Sequence, residues 1–282
     1  MFSVRKMSQI RKIPPLPFQG NKSLGRKKFL EFLNKIDNGN DMVFVDLFGG
    51  SFYLSYLVHQ MFPKAKVICN DYDNYMERLQ NIKKTNELLT QIRVILKDSE
   101  KSKRVSDKVQ NQIYEFLNEQ TGYVDWMTLS ASLLYSVKYD SSKEEFLKRY
   151  YWNILRNNLY DEDISDYING IEFVRLDWEE LYNQYKDTKN VVFLADPPYC
   201  MTNNSGYVGS DWTLRDSLKT LVILKSSRFC YYASTKSGLV EIIEFMKEQG
   251  MEINDYESIA YKRGMLYKYI KQNKEVILYK CN

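Results

Sequence analysis

Asp196-Pro197-Pro198-Tyr199 is the stretch whose residue types and order carry the clearest chemistry. It follows directly on VVFLA, a run of apolar β-formers that reads as a buried strand. Two adjacent prolines stiffen the backbone and remove two N–H donors. The Asp196 carboxylate and the Pro197 carbonyl are left as acceptors, with a flat phenol ring beside them. Such a set suits an exocyclic amine, whose nitrogen donates its lone pair into the attached ring and is a poor nucleophile. Two acceptors that take its two hydrogens draw the nitrogen toward a tetrahedral shape and free the lone pair for attack. Tyr199 supplies a surface on which the ring stacks. The step asks for positioning and electrostatics rather than a covalent nucleophile.

A second group of residues reads as a binding loop. Asp46-Leu47-Phe48-Gly49-Gly50-Ser51 follows a short apolar run, and glycines there let the backbone approach a ligand closely at a helix start. Asp71 comes 25 residues after Asp46 (71 − 46), at the end of the next apolar run. An acid in that place is set to bind ribose hydroxyls, and the competing reading makes it the cap of the helix that follows. His59 is the single histidine, and the four cysteines (Cys69, Cys200, Cys230, Cys281) form no C-x-x-C pair. No metal site is expected, and the thiols read as reduced.

The elements that must hold these residues follow from the hydrophobic pattern. Ser23–Ile36 has helical apolar spacing, Met42–Phe48 and Lys66–Asp71 read as buried strands, and a helix from about Ser51 to Phe62 joins them. Strand, glycine turn, helix and strand open a doubly wound nucleotide-binding fold. Residues 74–160 are helical and polar. Strands resume at Ile171–Leu176, Val191–Asp196 and Arg228–Ser234, a helix covers Ser237–Gln249, and a hairpin turned near Gly264 closes with Glu275–Lys280. The expected division is an α/β domain of residues 1–82 and 171–282, with a helical lobe of 83–170 inserted in it.

The 282 residues carry a net charge of +4, unevenly spread. Residues 1–28 hold Arg5, Lys6, Arg11, Lys12, Lys22, Arg26, Lys27 and Lys28 with no acid, and basic residues also gather in 83–110 and 262–280. Basic clusters on a balanced chain suit a phosphate-rich partner, and an aromatic share of 15% with 23 tyrosines offers rings for stacking. No stretch of about 18 apolar residues appears, so no membrane partner is expected, and the basic N-terminus lacks the apolar core of a secretory signal.

These motifs together resemble the Dam-type N6-adenine DNA methyltransferases, over roughly residues 17–82 and 171–280. Phe18-Gln19-Gly20-Asn21-Lys22 is similar to that family's aromatic-x-G-x-K segment, Asp46, Phe48 and Gly50 to its F-x-G-x-G loop, and Asp196 to Tyr199 to its catalytic tetrapeptide. The resemblance implies a Rossmann-like class I sheet with an inserted helical DNA-recognition lobe. It implies S-adenosyl-L-methionine as cofactor, double-stranded DNA as partner, and a cytoplasmic enzyme of bacterial or phage origin, on its own or paired with a restriction enzyme. Phe18, Lys22, Asp46, Phe48, Gly50, Asp71, Asp177 and Asp196 would hold the cofactor, with Asp177 at its adenine. Asp196, Pro197 and Tyr199 would face a flipped-out adenine, approached by Tyr207 from the following loop. Lys274-Glu275-Val276-Ile277 resembles the closing strand. Two departures stand out: Phe52 replaces the second glycine of the loop, and Ser130–Asn158 lacks the family's usual recognition signature. Within that block Tyr135, Lys138, Tyr139, Lys148, Arg149, Tyr150, Tyr151, Arg156 and Asn157 could contact phosphates and base edges. Two alternatives remain open at this point: an RNA adenine or protein amide methyltransferase, and a catalytically weak DNA-binding relative.

Overall fold

The computed structural model describes residues 10–135, 139–199, 212–251, 253–262 and 274–281. They divide into two compact units. One takes the chain up to Pro14, Asn21–Asp73 and everything from Tyr167 onward; the other takes Pro15–Gly20 and Asn74–Asp166.

The first unit is built on a seven-stranded sheet: β1 (Val43–Asp46), β2 (Lys66–Asn70), β3 (Glu172–Val174), β4 (Val191–Ala195), β5 (Phe229–Ser234), β6 (Glu257–Lys262) and β7 (Lys274–Lys280). The order is β3-β2-β1-β4-β5-β7-β6. The first five strands run parallel, and β7 enters antiparallel between β5 and β6. This is the Rossmann-like α/β arrangement expected from the sequence. β4 is buried along its whole length, as suits a central strand of a sheet covered on both faces. Val45, Phe193 and Tyr231 on neighbouring strands share one core with Leu181, Leu224 and Ile243.

The order in which strands are added reverses between β1 and β4, and a sheet of this kind binds ligands just outside the carboxyl ends at that point. The register sets Asp46 beside Leu194, so Asp196 lies two residues further along the same edge. Asn70, at the end of β2, ties this edge together. Its amide donates to the carbonyls of Leu47 (3.1 Å) and Leu176 (2.9 Å), and its Oδ1 accepts from the Leu176 N–H (3.1 Å).

Before β1 the expected helix over Ser23–Ile36 is shorter, a 3-10 turn at Ser23–Gly25 followed by α-helix over Arg26–Leu33. Past β1 a helix covers Tyr53–Met61, and another covers Leu239–Glu248. No described helix is long and apolar enough to cross a membrane, and no group of His, Cys, Asp or Glu among the described residues is arranged to hold a metal.

The second unit is helical, with helices at Tyr75–Gln80, Ile82–Ile95, Asp107–Asn118, Trp126–Leu133 and Lys143–Leu147. Ile92, Ile113, Leu117, Leu129 and Phe146 are buried in it. Arg78 and Asp125 form an ion pair that is almost wholly buried, at 3.0 Å. The Arg78 guanidinium also donates to the Pro17 carbonyl (2.7 Å) and to Thr128 Oγ1 (3.1 Å).

Tyrosine serves largely as a fastener. Tyr53 donates to the carbonyls of Arg11 and Lys12, and Tyr75 to that of Leu16, while Tyr56 accepts from the Arg11 N–H. An extended proline-rich segment makes no internal hydrogen bonds, and these hydroxyls supply partners to it.

Candidate active site

The glycine loop leaves β1 at Leu47, whose N–H donates to the Leu194 carbonyl at 3.0 Å. A side chain on Gly49 would meet Cys69 Sγ at 2.5 Å and the Asn70 carbonyl at 2.7 Å. The loop therefore lies flat against the end of β2, and only glycine fits there. Gly50 has φ of 50° and Phe52 φ of 62°. The phenylalanine that stands in place of the second glycine keeps the left-handed backbone a glycine would take. Its ring is fully buried, 4.6 Å from that of Phe173. The Phe52 side chain thus turns into the protein from a backbone in the left-handed region that glycine favours. Phe48 is half-buried between Trp178 and Trp212, each 5.8 Å away centroid to centroid.

Asp46 ends β1 and is almost wholly buried. Its Oδ2 accepts from Ser55 Oγ at 2.8 Å, and its Oδ1 has no close hydrogen-bond partner among the described residues. Burial raises this carboxyl from its ordinary value to about 7; the charge of Asp196 adds to the rise and the Ser55 hydroxyl opposes it. Two carboxylates that feel one another at the carboxyl edge make it a place where positive charge is favoured. Asp71 is buried at the end of β2, and its N–H donates to the Val174 carbonyl at 2.7 Å. The helix after it starts at Tyr75 with Asn74 at the cap position, so the cap reading of Asp71 does not hold.

Around the tetrapeptide the geometry is tight. Lys22 Nζ lies 2.8 Å from Asp196 Oδ2 and 3.6 Å from Glu275 Oε2. The Lys22 side chain is only 5% exposed, and its ammonium stands 5.2 Å from the ring centroid of Tyr199 and 5.4 Å from that of Tyr232. The Tyr199 hydroxyl points at Asp196 Oδ1, 3.4 Å away. Pro197 is buried and Asp196 and Tyr199 are partly open. Asn21 accepts from both the N–H and the hydroxyl of Ser23 (3.2 and 2.5 Å), a local turn that fixes the backbone on either side of Lys22.

The structure brings together Lys22, Asp46, Asp196 and Tyr199 and sets Phe48, Gly50 and Asp71 on the same edge of the sheet. Two of the residues singled out from sequence have other work. Asp177 is exposed and caps the helix Trp178–Tyr185, accepting from the Glu179 N–H at 2.8 Å. Phe18 belongs to the helical unit, where it is buried edge-on against Tyr75 at 5.6 Å. Asn70 and Glu275 escaped notice as site residues. Asn70 directly precedes Asp71, the one sequence signal that marked it; Glu275 was read only as part of a strand. In the helical unit Tyr151 is core, and Arg149 forms a bidentate pair with Asp140 (2.9 and 3.0 Å), so neither is free for a ligand; Tyr135 and Tyr150 are exposed. Lys138, Cys200, Tyr207 and the turn at Gly264 lie outside the described residues. Burial pushes the Cys69 and Cys230 thiols up, which makes both unreactive.

Known proteins resemble this chain to different degrees. A Haemophilus influenzae protein described as "Putative methyltransferase" is 32% identical over 277 residues, covering 90% of this chain and 92% of its own. The precorrin-6y C5,15-methyltransferase of Geobacter metallireducens GS-15 aligns over 96% of this chain and 100% of its own, at 12% identity and a TM-score of 0.38. The fold is read from the strand order and not from that likeness. The family model for D12 class N6 adenine-specific DNA methyltransferases matches residues 18–244, most of the sheet and the whole helical unit past Pro17. The chain belongs to the D12 class of N6 adenine-specific DNA methyltransferases.

Proposed function

We propose that this chain transfers a methyl group from S-adenosyl-L-methionine to the N6 of an adenine turned out of double-stranded DNA, with Asp196, Pro197 and Tyr199 at the reacting amine. The observation that carries the proposal is the Asp196 carboxylate, fixed at the end of β4 and partly open, beside a tyrosine ring. The cofactor supplies a methyl on a sulfonium, an electrophile that needs only a correctly aimed lone pair.

The edge of the sheet fits such a cation. Gly49 lets the loop lie flat on the end of β2, and Gly50 takes a left-handed backbone beside it. Asp46 has a buried oxygen without a close partner among the described residues, and its charge and that of Asp196 favour a positive group. Asp46, Phe48 and Gly50 would hold the methionine part, Asp71 the ribose hydroxyls, and Lys22 would orient Asp196. Asp177 completes the proposed set on this unit, through the carboxylate oxygen its cap leaves over. Asp196 and the Pro197 carbonyl accept the amine's two hydrogens, and Tyr199 stacks on the base. An adenine within a duplex does not reach this edge, so it leaves the stack first. We assign DNA contact to the helical unit, taken as residues 83–170, and place the enzyme in the cytoplasm, where its DNA is.

The test is Asp196→Ala on unmethylated plasmid DNA with methyl-labelled S-adenosylmethionine. Label transfer to DNA falls at least about a hundredfold, the scale of a lost electrostatic contact to the transition state, while the melting midpoint stays put. Near-normal transfer by the variant removes Asp196 from the chemistry. Label that reaches RNA or protein and never DNA overturns the substrate.

A further inference from the structure

Glu275 has no role in the reaction as described so far, yet it is a buried carboxylate at the reacting edge. Its side chain is 4% exposed and stands 3.6 Å from the Lys22 ammonium, which Asp196 holds at 2.8 Å. It is there because β7 runs against the other strands, which brings the start of β7 to the edge where β4 and β5 end. In the register Glu275 lies between Ser234 of β5 and Tyr261 of β6. The Tyr261 hydroxyl donates to Glu275 Oε2 at 2.7 Å, the oxygen that faces Lys22. That hydroxyl occupies space left by Gly25, where a β-carbon would come within 2.4 Å of it. One buried ammonium is thus shared by two carboxylates, and the second is held in place from behind.

The sharing matters once Asp196 is read as the acceptor for the target amine. An ammonium bonded to Asp196 drains the carboxylate of acceptor strength. It also sets a positive charge beside a nitrogen that becomes positive as the methyl arrives. Departure of Lys22 into an apolar interior would be prohibitive, because an isolated buried charge is far more costly than a paired one. A second carboxylate within reach removes that barrier.

We propose that Glu275 is a positioning residue that takes the Lys22 ammonium as the target amine docks on Asp196. Lys22 holds and aims Asp196 in the free enzyme, then moves onto Glu275, and Asp196 turns to the amine. The inference rests on the reading of Asp196 given above.

The test is a double-mutant cycle on the full chain, Lys22→Met and Glu275→Gln singly and together. Turnover is read on unmethylated plasmid DNA, and thermal midpoint and cofactor affinity are measured without DNA. Glu275→Gln lowers turnover by about tenfold or more and leaves the cofactor dissociation constant within about twofold. In the Lys22→Met background the same change costs no further activity. It also raises the midpoint, because it removes one of two carboxylates left without their shared cation. Tyr261→Phe lowers turnover in the same direction by less, and stands in for Glu275→Gln should that variant fail to fold. Normal turnover in Glu275→Gln, or losses that add in the double variant, overturns the proposal. If Asp196→Ala abolishes methylation while Glu275→Gln is unaffected, only this inference fails. If the wild type transfers no label to DNA, the reading beneath it fails.

Discussion

Phe52 offers a measurement in which the usual ranking of two substitutions reverses. It sits before the helix Tyr53–Met61 with φ of 62°, and its ring is fully buried against Phe173. Removal of a buried phenylalanine ring costs about 3–5 kcal/mol. Phe52→Ala loses the ring and keeps a β-carbon in the left-handed region, so the whole cost is felt. Phe52→Gly loses the same ring and relieves a left-handed penalty of about 1–2 kcal/mol. Glycine's added freedom in the unfolded chain takes back about 0.5–1 kcal/mol. Glycine is then ahead of alanine by roughly 0.5–1 kcal/mol, against the order found at ordinary helical positions. Urea unfolding of the two variants at one pH reads the difference as a shift in midpoint at constant slope. An alanine variant as stable as the glycine variant, or more so, would refute the claim that this backbone is held in a glycine conformation.

The remaining expectations concern charge. Asp46 keeps its proton in the folded chain up to about pH 7 and releases it near 3.8 when unfolded. The folded state therefore binds the extra proton across that window, stability falls as pH rises through it, and Asp46→Asn flattens the fall; a pH profile that matches the wild type removes the buried charge as its cause. Asp71→Ala weakens cofactor affinity, measured by calorimetry, more than it slows turnover at saturation, and unchanged affinity takes Asp71 off the ribose. Asp125→Ala strands the buried Arg78 and costs about 3–5 kcal/mol, whereas Arg78→Met with Asp125→Leu recovers most of it; equal losses would show that the charge is not what the fold resists.

Much of the sheet could be read from the chain because its signals are local. Apolar runs of β-formers mark β1, β2, β4 and β5 within a residue or two of their observed ends, and Gly49 and Pro197 mark where β1 and β4 stop. The tetrapeptide was legible because its chemistry lies in four adjacent residues. What stayed hidden depends on distance in sequence. Glu275 looks like one more strand residue until an antiparallel pairing sets it beside Lys22. Asp177, Asn74 and Asp71 carry the same kind of acid or amide signal, and only the backbone shows that Asp177 and Asn74 stand at helix caps and Asp71 does not. The tyrosines misled in a similar way: rings that suggested stacking on bases are, at Tyr53, Tyr56 and Tyr75, hydroxyls that tie down an extended segment. Phe52 is a bulky residue with a backbone angle that favours glycine, a pairing the letter alone does not reveal.

The placement of β7 has a consequence for how the protein is made. Among the described strands β6 pairs only with β7, and β7 is the strand that delivers Glu275. Lys22 and Glu275 are 253 positions apart (275 − 22), so the first of them leaves the ribosome long before the second exists. A growing chain that has formed β1 through β5 already carries the Asp196 tetrapeptide, yet its sheet ends in an open edge and Lys22 has one carboxylate where the finished protein gives it two. β7 thus brings β6 its pairing and Lys22 its neighbouring Glu275 carboxylate in a single strand.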